Sequence, residues 1–136
     1  MKNAIKRTLC IICAFITLLC YTSNVNANSS ITGLTCDASI NILGNGQVQI
    51  SVCATTNVTV DKLSVIIYLE KYDSVSQTWE IIDVFTAQES NTNNLCRTFT
   101  IKSIEKGVYR LRGVASAQLN EIIEHISFVT ETIWIK

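Results

Sequence analysis

The chain has no proline, five glycines, one methionine and one histidine, and aromatic residues make up 7% of its 136 positions. Without proline there is no polyproline segment or stiff linker, and so few glycines exclude a collagen-like repeat. Basic residues form no run beyond the first seven positions. The cysteines lack the close pairing of a zinc site, and neither a glycine-rich phosphate loop nor a tandem acidic calcium loop occurs. A serine-histidine-acid site would have to be assembled from His125, Ser127 and a distant carboxylate. Residues two apart on a strand merely share a face and make no nucleophile elbow. Asp61, Asp73 and Asp83 are more simply turn caps than ligands of a surface ion. The expectation is therefore no enzyme, no catalytic residue, no cofactor and no metal.

What is present begins at the amino terminus, where Lys2, Lys6 and Arg7 precede an apolar run from Leu9 to Cys20. An apolar stretch of this length is too short for an ordinary membrane-spanning helix, which needs ~20 residues. A basic start, a short apolar core and a small, polar stretch from Thr22 to Asn28 form the pattern of a secretory signal. The expected cut follows Ala27. Cys20 ends the apolar run as a lipidated cysteine would, but Leu19 stands where lipoprotein processing wants a small residue. The predicted organisation is a signal peptide over 1–27 and a single domain over 28–136, placing the protein outside the cytoplasm, secreted or held at the envelope.

Residues 28–136 carry eight basic against eleven acidic residues, a formal charge of −3. That balance offers no field for nucleic-acid phosphates and no polybasic patch for a lipid surface. No nucleic-acid partner is expected, and no membrane insertion once the signal is removed.

β-branched residues and period-two alternation recur between polar turns. Strands are expected over Ile31 to Leu43, around Val48 to Val52, and over Leu63 to Leu69. Further strands are expected from Trp79 to Phe85, from Leu95 to Ile101 and from Tyr109 to Ala115, with a last one over Glu121 to Ile135 in which a bulge would shift the buried side. Gly44-Asn45-Gly46 accepts positive φ and predicts a tight hairpin, with Ile42 facing Val48 and Ile40 facing Ile50. Trp79, Ile81 and Phe85 are expected on one side of their strand, and Glu89 to Asn94 as a polar loop. Seven short strands in about a hundred residues fit an all-β, two-sheet antiparallel sandwich of immunoglobulin or fibronectin type, with a small barrel as competitor.

Three cysteines follow the signal: Cys36, Cys53 and Cys96. Export permits a disulfide, and an odd number leaves one thiol over or calls for an intermolecular bond. In a regular first hairpin Cys36 opposes Ala54, so a bond to Cys53 needs a slip. Cys53 and Cys96 share the polar parity of their strands, so that pair is equally open, as is the state with three thiols.

The feature suited to binding is a face. Ile66, Tyr68 and Tyr72 have the opposite parity from the apolar set Leu63, Val65, Ile67 and Leu69, and Arg110 and Arg112 the opposite parity from Tyr109 and Leu111. In the immunoglobulin strand order these strands are neighbours, and the five side chains form an outer patch of aromatic rings and guanidinium groups. The same pairs also stabilise exposed sheets without any partner.

Leu69-Glu70-Lys71-Tyr72-Asp73 with Thr78-Trp79, followed by Lys106-Gly107-Val108-Tyr109-Arg110-Leu111, resembles the uncharacterised short secreted immunoglobulin-like β-sandwich proteins of Gram-positive bacteria. The resemblance runs from about Thr35 onward and implies no catalytic residue. It gives Tyr109 the place of a corner tyrosine, without the neighbouring disulfide cysteine of antibody-type domains. Two functional classes follow. One is a non-enzymatic binding or adhesion module for a protein or glycan at the cell surface, whose face is exposed and poor in salt bridges. The other is a structural protein that assembles by edge-strand pairing or an intermolecular disulfide.

Overall fold

The structure, a computed structural model, describes residues 31–136. The predicted signal segment and its cut lie outside the described residues. Among the described residues every regular element is a strand: β1 (Thr35–Gly44), β2 (Gln47–Asp73), β3 (Thr78–Ile101), β4 (Gly107–Leu119), β5 (Ile122–Val129) and β6 (Ile133–Ile135). Among the described residues no helix is long and apolar enough to cross a membrane.

The first hairpin follows the sequence pattern. Asn45 and Gly46 turn with φ of 51° and 71°, and Ile42 pairs with Val48, Ile40 with Ile50 and Cys36 with Ala54. The two-sheet sandwich of about seven strands does not form. All six strands belong to one antiparallel sheet, with order β1-β2-β4-β5, β3 along the other edge of β2 and β6 beside β4. The immunoglobulin-like assignment, and with it the resemblance to secreted sandwich proteins of Gram-positive bacteria, is thereby corrected.

The reason lies in two stretches outside the expected strands, of which Glu89 to Asn94 was expected as a polar loop. The stretch after Thr55 and the stretch Glu89 to Asn94 remain strand, because they pair with each other through a bend. Thr55 opposes Asn94 on one side of it and Val60 opposes Thr92 on the other, with a bulge between. β2 and β3 therefore run unbroken for 27 and 24 residues, where shorter strands separated by loops were expected.

The bend also reverses parity. Buried side chains of β2 fall at the even positions Val48, Ile50, Val52, Ala54 and, within the bend, Val60, and at the odd positions Leu63, Val65, Ile67 and Leu69 beyond it. Such a switch is what a bulge produces in a period-two strand. The sheet thus curls as a half-barrel, and the concave sides of its two arms share one apolar core. Along β3 the curl brings Phe85 against Phe99, ring centroids 4.9 Å apart, and pairs Glu89 with Arg97. Eight positions of straight strand would separate that ion pair by about 27 Å.

A second bulge, at the Leu69/Glu70 step against β3, moves Trp79 and Ile81 to the convex side while Phe85 stays in the core. The three do not share a side as expected. The expected long final strand is interrupted after Val129, where Thr130 takes up both backbone groups of Leu111 at 2.9 Å each. Beyond the break Ile133 and Ile135 face the core.

Candidate binding face

On the second arm the alternation that buries Leu63, Val65, Ile67, Leu69, Tyr109 and Leu111 sends their neighbours outward. Tyr68 pairs with Arg112 and Glu70 with Arg110, so β2 and β4 bring four of these outward side chains together. Ile66 lies two residues from Tyr68 on the same side, and Tyr72 pairs with Trp79 of β3. Ile66, Tyr68, Tyr72, Arg110 and Arg112 thus occupy one outer face.

Glu70 is the group around which this face is built, and it is only 3% exposed. Its two carboxylate oxygens each accept a bond of 2.7 Å, one from Nε of Arg110 and one from Nε of Arg112. Burial works to raise its pKa, but the hydrogen bonds and charges of Arg112 and Arg110 outweigh burial and hold the carboxyl below the ordinary glutamate value. Each guanidinium also lies against a ring: Arg110 at 4.0 Å from the Trp79 centroid and Arg112 at 4.6 Å from that of Tyr68. Tyr72 leans on Trp79 at 5.3 Å with a 56° tilt. Such cation–π contacts contribute about 0.5–1 kcal/mol each at exposed sites. The expectation of a face poor in salt bridges is not met, since Glu70 pairs with both arginines.

Around this ladder lie exposed apolar side chains: Ile66, Ile81, Val84 and Val129, with Trp134 of β6 68% exposed beyond Val108. Sequence reasoning missed Glu70 and the outward Trp79, Ile81 and Trp134. Glu70 was legible as the one acid continuing the Tyr68–Tyr72 alternation opposite two arginines. The facing of Trp79 and Ile81 depended on a bulge that no residue type announces.

The remaining candidates are placed as follows. Cys53 and Cys96 face each other in register and form a disulfide, while Cys36 is a free, half-buried thiol. The disulfide floors a shallow depression of about 450 Å³ on the convex side of the first arm, lined by small polar residues such as Ser39, Ser51 and Thr98. His125 shares a hydrogen bond of 2.7 Å with Ser116 on the exposed side of β4 and β5, whereas Ser127 stands opposite Val114. Asp73 accepts from the backbone of Val75 and Ser76 and Asp83 from that of Val84, so both act locally, while Asp61 accepts from the backbone of Asn120 and ties β2 to the turn between β4 and β5. Among the described residues no three His, Cys, Asp or Glu side chains are placed to hold a metal ion. Tyr109 is buried and donates to the carbonyl of Glu105 at 2.9 Å, a local corner bond that does not depend on a second sheet.

No protein-family model matches the chain. No curated protein matches it either. Among solved structures, the crystal structure of selenomethionine-labelled β-glucosidase from Kluyveromyces marxianus is similar over 76% of this chain at 12% identity, with a TM-score of 0.43. This chain spans 15% of that one's length, and nothing of the enzyme's activity is carried over.

Proposed function

We propose that the chain is a non-enzymatic recognition module that works outside the cytoplasm, secreted or at the envelope, and binds its partner through the outer face of the second arm. The observation that carries this reading is the buried Glu70 that fixes Arg110 and Arg112 against Trp79 and Tyr68. Trp, Tyr and Arg are the residue types that dominate binding energy at interfaces. Side chains already held in place lose less rotamer entropy on binding, which is usually about 0.5–1.5 kcal/mol for each one immobilised. The exposed aliphatic residues around them supply apolar area that water leaves on contact.

Capture from envelope and host-surface extracts tests the reading. The immobilised protein is compared with a Tyr68→Ala, Arg110→Gln, Arg112→Gln variant that also carries Glu70→Gln, so that no buried charge is stranded. Loss of captured material is the expected result, and unchanged capture removes this face from consideration. The alternative reading is assembly through the outer edge of β3, which among the described residues pairs only with β2 along its 24 residues. Cys36, inward and half-buried, gives the intermolecular disulfide little to work with.

A further inference from the structure

We infer that the outer face of the second arm takes an acidic protein segment in extended form, its carboxylates seated on the free ends of Arg110 and Arg112. The inference rests on the recognition reading above and gives the partner its chemistry. Both arginines commit Nε to Glu70 and hold Cζ over the rings of Trp79 and Tyr68; their terminal Nη groups have no protein partner among the described residues. Two guanidinium charges against one carboxylate leave the ladder with one net positive charge. Residues 28–136 as a whole are formally −3, so this patch stands out as a place that draws a carboxylate. A terminal guanidinium edge offers paired N–H donors whose geometry matches a carboxylate.

Spacing selects an extended peptide. Arg110 and Arg112 are two residues apart on β4, and their Cα positions are therefore about 6.8 Å apart along the strand. Side chains at alternate positions of an extended ligand repeat at the same interval. The rings that a sugar would stack upon are already occupied, Trp79 by Arg110 and Tyr68 by Arg112. The flanking Ile66, Ile81, Val84 and Val129 are exposed aliphatic side chains, which suit apolar peptide residues and not a hydroxyl-rich chain.

The experiment uses a fluorescein-labelled peptide of the form Val-Glu-Thr-Glu-Val, its glutamine counterpart, and oligogalacturonate, each titrated against the purified protein. The glutamate peptide binds, the glutamine peptide binds at least tenfold more weakly, and added salt weakens the first and not the second. Arg110→Gln with Arg112→Gln in a Glu70→Gln background lowers the affinity at least tenfold, with an unfolding curve showing the variant folded. If that variant fails to fold, Arg110→Lys with Arg112→Lys keeps both charges and removes the forks, and a threefold or greater loss is expected. Absence of peptide binding, equal binding of the glutamine form, or tighter binding of oligogalacturonate overturns the acidic-segment inference. The recognition reading survives any of these if extract capture still depends on the face, and it falls if capture does not.

Discussion

Glu124 holds Thr32. The carboxylate on β5 accepts the Thr32 backbone N–H at 3.1 Å, and it also accepts the Thr32 hydroxyl and the backbone N–H of Ile31. Thr32 is fully buried and its carbonyl accepts from the backbone of Asn57 at 2.7 Å, at the bend of β2. β1 and β5 are the two ends of the strand path β1-β2-β4-β5, so one side chain joins edges that no backbone ladder connects. With the Glu89–Arg97 pair across β3, this clasp closes the curl on both sides.

Glu124→Ala is accordingly expected to destabilise the fold by about 1–3 kcal/mol, the usual consequence of leaving buried donors unmet. Glu124→Gln retains an acceptor for one of them and should fall between the two. Urea unfolding measures both, and an Ala variant as stable as the parent would show that the clasp does not hold the curl.

Stability should also decline in acid, in part through Glu70. Its folded-state pKa lies below the ordinary value of 4.5, so the native state binds fewer protons than the unfolded one. The stabilisation is complete above about 4.5 and is lost as pH falls through the depressed folded value. The exposed Asp73 and Glu105 are shifted the same way, Asp73 by hydrogen bonds from Ser76 and Val75 and Glu105 by Lys71, so the decline will not vanish when Glu70 is removed. Glu70→Gln should flatten the acid side of the stability profile while lowering stability near neutrality. A profile parallel to the parent's at every pH would remove Glu70 from the account.

The disulfide between Cys53 and Cys96 closes a loop with a sequence separation of 43. Chain-entropy reasoning puts its contribution at about 4 kcal/mol, with typical values of 2–4. Cys53→Ser with Cys96→Ser should lower the urea midpoint accordingly. Peptide mapping without reduction should find Cys36 as the alkylated site of this domain, and slowly. Burial, with the charge of Asp37 adding to it, pushes that thiol up to about 11, so little thiolate exists near neutral pH.

Much of this was readable in advance where local rules govern. The Gly44-Asn45-Gly46 turn and the alternation around it set the register of β1 on β2 down to Cys36 opposite Ala54. The alternation of Leu63 to Leu69 and of Tyr109 to Ala115 separated core from outer face, which is why the five face residues lie together. What failed depended on tertiary context. Polar residues at 89–94 read as a loop, and the stretch between Val52 and Leu63 fell outside the expected strands, because nothing local tells a solvated strand bent at a bulge from a break between strands. From that error came the sandwich topology, whereas the misplaced side of Trp79 and Ile81 came from the second bulge, at the Leu69/Glu70 step.

Gly113 gives the sharpest local test of the packing of β4. It stands opposite Phe128 of β5 and Ile67 of β2. A Cβ there would lie 2.4 Å from Cζ of Phe128 and 2.5 Å from the carbonyl oxygen of Ile66. The phenyl ring covers the space a side chain would fill, an arrangement that compensates a strand glycine. Gly113→Ala is expected to destabilise by about 1–3 kcal/mol, as overpacking does. Phe128→Leu removes the ring contact but leaves the Ile66 carbonyl, which belongs to the ladder itself and moves only with β2. The double variant should therefore recover only part of the loss in a double-mutant cycle. Full recovery would show that the ring alone demands glycine and that β2 can yield at Ile66 without cost.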